Sequence, residues 1–191
     1  MHRRDLMRCS VSRLFLGGLV LAISDLRALE PMSWSSSVDG LRLGLRVDID
    51  KGNSHVVVFL NNTSPVTKEV FVSEGMVKRI DFVAVAPDRK ECLIRQRDEY
   101  VPCAGLCHWP LIENLGPGQS KRLEFATKDL IYLPDRAPIV ELGSLLSRGY
   151  ALRASFTVTD KDLEEAMNRD SFENPWRGRL VAPEVHPLDQ K

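Results

Sequence analysis

The chain has 191 residues, with 26 basic and 26 acidic side chains, so its formal charge is zero. Apolar residues make up 43% and charged residues 27%, ordinary values for a folded domain. These figures exclude a disordered chain, a collagen-like repeat and a polytopic membrane protein. The lack of a basic excess also argues against non-specific nucleic-acid binding.

Residues 1–24 read as a signal peptide. Arg3, Arg4, Arg8 and Arg13 stand against the single acid Asp5, and an uncharged run follows from Leu14 to Ile23. A basic head, a short apolar run and small residues before Ser24 are the parts of a secretory leader. The run is about half the roughly 20 residues a spanning helix needs. A secreted or periplasmic location is therefore expected, with no integral membrane segment after cleavage. Cleavage after Ser24 leaves 22 basic and 25 acidic residues, a net charge of −3. Ala28 offers a second plausible exit.

Residues 25–40 are small and polar around Pro31–Val38 and read as a linker. A period of two then takes over. Leu41, Leu43, Leu45, Val47 and Ile49 alternate with Arg42, Gly44, Arg46, Asp48 and Asp50, which predicts a strand with one apolar face. Asp50–Ser54 forms a turn cluster and His55–Leu60 a second strand, so the two read as a hairpin. Asp48–Asn53 lacks the third oxygen ligand and the closing glutamate of a calcium loop. Further strands are predicted over Lys68–Ser73, Val77–Val85, Glu91–Gln96, Lys121–Ala126 and Tyr150–Val158. Leu180–Val185 is the last, with Pro183 implying an edge or a bulge. Asp160–Arg169, capped by Thr159 or Asp160, reads as a short surface helix, and Ile139–Leu146 as a possible second one. About eight short strands separated by turns predict an all-β antiparallel sandwich or barrel over residues 41–187, followed by a tail at 188–191. About 150 residues bury enough apolar surface to make a sandwich stable without heavy cross-linking.

Three stretches resemble exported bacterial immunoglobulin-like or fibronectin-III-like sandwich proteins. Val58–Ser64 looks like their strand ending in an Asn-rich turn. Leu115–Ser120 looks like the proline-glycine turn before a mid-domain strand, and Tyr150–Ala154 with Trp176–Leu180 looks like the closing pair. The resemblance implies an immunoglobulin-like sandwich serving adhesion, assembly, carbohydrate binding or inhibition, and so a fold more than an activity. The usual inter-sheet cysteine pair and packed tryptophan have no clear counterpart, and the helix before Trp176 looks like an insertion.

The cysteines beyond residue 24 are Cys92, Cys103 and Cys107. Export permits one disulfide among three thiols. Cys103–Cys107 is the expected bridge because both share one loop; Cys92–Cys103 and Cys92–Cys107 are the alternatives. Cys92 alternates in phase with Ile94 and is expected to face the core. Cys103, Cys107 and His108 also sketch a c-type haem or metal site, which would make this a redox protein. The haem spacing has one residue too many here, however, and zinc usually takes two ligand pairs. We therefore expect no cofactor and no metal, with His108 a bystander. No nucleophile elbow, metalloprotease motif or phosphate loop is present, and His55, His108 and His186 are scattered, so no enzyme is expected. The loop from Arg97 to Pro110 is longer than usual and carries Tyr100, His108 and Trp109. Such loops often hold binding surfaces, here for a protein or glycan partner; protease inhibition is a further alternative. In the competing expectation Trp109 and Leu111 fold back on the core as a plug. Trp176 reads as core or strand lead-in and Trp34 as linker. Asn61 and Asn62 each open a glycosylation pattern.

Overall fold

The structure, a computed structural model, describes residues 32–50, 53–74, 77–97, 110–135, 138–167 and 172–187. Strands β1 (Ser33–Trp34), β2 (Leu41–Asp50), β3 (Asn53–Asn62) and β9 (Ser120–Ala126) form a four-stranded antiparallel sheet in the order β1-β2-β3-β9. Strands β4 (Lys68–Glu74), β5 (Val77–Lys78) and β8 (Pro110–Leu115) form a three-stranded sheet in the order β5-β4-β8. The third sheet contains β6 (Ile80–Val85), β7 (Glu91–Gln96), β10 (Leu130–Tyr132), β11 (Val140–Glu141), β12 (Ala151–Val158) and β13 (Gly178–Val181). Its order is β11-β10-β7-β6-β12-β13. Two short helices, α1 (Leu142–Leu146) and α2 (Asp160–Met167), complete the regular elements. The all-β expectation holds; the described residues carry thirteen strands rather than about eight, several of them two or three residues long.

Alternation explains the layers. Leu41, Leu43, Leu45 and Val47 are fully buried on one face of β2, and Val56, Val58 and Leu60 continue that face on β3. Phe82 of β6 meets Phe125 of β9 edge-on, with ring centroids 4.9 Å apart. The four- and six-stranded sheets therefore close over a shared core, and Val70 and Val72 of β4 join it. Phe156 stacks on Trp176 at 5.4 Å, and Trp176 is fully buried, as expected of a core tryptophan.

Three differences from the sequence reading have local causes. The polar stretch before Leu41 is not a free connector: β1 pairs with β2, and Ser35 N donates to Leu43 O. The turn joining the two arms is Asp39-Gly40, with φ of 45° and 76° and hydrogen bonds between Val38 and Leu41 in both directions. This is the type I′ geometry that favours Asp-Gly. Trp34 lies over Gly44, where an added Cβ would sit 2.8 Å from its ring, so the glycine makes the slot for the indole. Secondly, the run from Val77 to Val85 is not one strand. It breaks at Arg79, whose N–H donates to Val72 O, and passes from one sheet to another. Thirdly, β8 occupies residues expected to be irregular. The turn after it is as predicted: Gln119 N donates to Gly116 O, and Gly118 has φ 73° behind Pro117, a type II turn. Pro183 follows β13 at the sheet edge, and pairing resumes at the Leu152–Val185 bridge.

Candidate functional site

Tyr100, Cys103, Cys107, His108 and Trp109 all lie outside the described residues. The two ends of their segment are described. Gln96 closes β7 in the six-stranded sheet, and Pro110 opens β8 in the three-stranded sheet. The Arg97 guanidinium donates to Lys128 O at 3.0 Å and to Glu141 Oε1 at 3.4 Å. Cys92 is a free thiol, 6% exposed and part of the core. The alternative bridges from Cys92 to Cys103 or Cys107 are thus not formed. The neighbouring Cys92 sulfur, together with burial and a hydrogen bond to that sulfur, holds the Tyr132 hydroxyl above its usual pKa of 10.0.

A polar cleft of about 600 Å³ lies at α2, lined by Asp39, Asp160, Leu163, Glu164, Asn174, Pro175 and Arg177. Asp39, Asp160 and Arg177 in its lining are each held in an ion pair. Lys68, whose side chain is only 8% exposed, donates to Asp39 Oδ2 at 2.9 Å, and Arg177 donates to Asp160 Oδ1 at 2.9 Å. The segment after α2 is stitched to β4: Glu69 Oε2 accepts the N–H groups of Glu173 and Asn174, each at 2.8 Å. Trp176 Nε1 reaches Val38 O at 2.9 Å. Among the described residues no group of three His, Cys, Asp or Glu side chains is placed to hold a metal.

At the start of α2, Thr159 is the cap. Its N–H and hydroxyl both donate to Asp162 Oδ2 at 2.7 Å, while Asp162 N donates back to Thr159 Oγ1 at 3.3 Å, a capping box with Asp in the fourth place. Arg79 Nη2 holds Asp162 Oδ1 at 2.5 Å. Burial works to raise the Asp162 pKa. The Thr159 hydrogen bonds, Arg79 and Lys161 outweigh it and hold the carboxyl below its ordinary 3.8.

Asn61 and Asn62 are not free acceptors for a glycan. Asn62 is fully buried. Its Nδ2 donates to Val66 O and Leu115 O, both at 2.7 Å, and its Oδ1 accepts from Ser64 N and Ser64 Oγ. Asn61 Nδ2 donates to Ser120 Oγ at 2.8 Å and to Gln119 O at 3.2 Å. Both amides tie the β3 end to the turn between β8 and β9. His55 lies 3.9 Å from Glu124 on a partly exposed face, and His186 is exposed.

The sequence did not reveal one surface. On β7, Glu91, Leu93 and Arg95 are exposed while Cys92, Ile94 and Gln96 are buried. Leu93 is 46%, Leu133 39% and Ile139 59% exposed. The register sets them side by side: Leu93 faces Val83 on β6, Ile94 faces Tyr132, and Tyr132 faces Val140. Leu93 and Val83 therefore share the outward side of the six-stranded sheet with Arg153, while Leu133 directly follows β10 and Ile139 directly precedes β11. Arg153 is held by Glu91 at 2.6 Å and Glu184 at 3.7 Å. No protein-family model, curated protein or solved structure matches this chain.

Proposed function

We propose that the chain is an exported, non-catalytic β-sandwich module that binds a protein or glycan partner through the connection between Arg97 and Pro110. One observation supports this reading. The connection leaves β7 in one sheet and enters β8 in another. Connections carried by a rigid scaffold in this way are where binding residues concentrate. Tyr100 and Trp109 within it are the residue types that anchor contacts, and a Cys103–Cys107 bridge reduces the entropy lost when such a loop is ordered on binding. The immunoglobulin-like kinship belongs to the same proposal, and the antiparallel sheets and the Pro117-Gly118 turn support it.

The test is binding of purified protein to immobilised glycans and to cell-envelope proteins, with Tyr100→Ala and Trp109→Ala beside the wild type. The proposal expects each variant to lose affinity by about tenfold or more, a cost of about 1.4 kcal/mol, with its thermal midpoint unchanged. A large fall in the midpoint in both variants would assign these rings to the core and overturn the proposal. A Soret band or bound metal in the exported protein would contradict the cofactor-free reading.

A further inference from the structure

We draw no further inference here: the strongest candidate, the polar cleft at α2 with Asp39, Asp160 and Glu164 in its lining, is an acidic cluster two of whose members are already held by Lys68 and Arg177, and nothing among the described residues shows what would occupy it.

Discussion

Asn62 shows how much one side chain can carry. All four hydrogen-bonding positions of its amide are used inside a fully buried site. Removing it takes a donor from the carbonyls of Val66 and Leu115 and the acceptor from Ser64 N, and a buried polar group left unpaired costs about 1–3 kcal/mol. Asn62→Ala is expected to destabilise by about 3 kcal/mol, lowering the thermal midpoint by about 10 °C for a domain of this size. Urea titration checks this, and a change within about 0.5 kcal/mol would contradict it. Asp162 gives a pH signature. Its native pKa lies below the ordinary value of 3.8. The stability it contributes is therefore fully present above the unfolded-state pKa and is lost as pH falls through the lowered native pKa. Asp162→Asn is expected to cost about 1–2 kcal/mol at neutral pH, because Arg79 loses its ion partner. The gap to the wild type should close as pH drops below 3.8. Denaturant curves at several pH values measure it; a gap that widens in acid would refute the assignment.

At the scale of elements, the strands that sequence reading found are those whose alternation runs for six residues or more with charge on the outer side, such as β2 and β12. The missed ones lack that signal. β8 opens on a proline, and β10 and β11 are only three and two residues long. β1 was hidden by its serines, although Asp39-Gly40 was a readable hairpin signal. Asn62 opens an Asn-Thr-Ser glycosylation pattern, which is short and common. Its place at a strand end, two residues before Ser64, was the available clue to an Asx-type turn. The candidate site was legible only in part. Alternation along β7 announces Leu93 as an exposed apolar position, but its neighbour Val83 lies on another strand, and only the register pairs the two. Turn geometry also yields a prediction. At Gly40 a Cβ would sit 2.5 Å from the Cβ of Ser64, at φ 76°. Gly40→Ala is expected to lower stability by about 1–2 kcal/mol, through strain at positive φ and the clash with Ser64. Thermal unfolding of this variant reads the loss directly, and an unchanged midpoint would mean that the hairpin turn is not built this way.

Over the whole molecule, three sheets close on one interior, and the segment after α2 supplies its largest plug. Trp176 is fully buried, stacked on Phe156 and hydrogen-bonded to Val38 O. Trp176→Ala is expected to cost about 3–5 kcal/mol, read by denaturant unfolding, whereas a cost under about 1 kcal/mol would place the indole outside the core. The same layering fixes the fate of the thiols. Cys92 points inward from β7, while Cys103 and Cys107 belong to the connection proposed to bind a partner. Native-state alkylation of the protein purified after expression of the full chain, followed by peptide mass mapping, reads Cys92, Cys103, Cys107 and the N-terminus at once. The expected pattern is a chain starting after residue 24, Cys103 joined to Cys107, and Cys92 alkylated only after unfolding. Rapid alkylation of Cys92 in the folded protein, or Cys92 bonded to either loop cysteine, would contradict the layered sandwich and its bridged rim together.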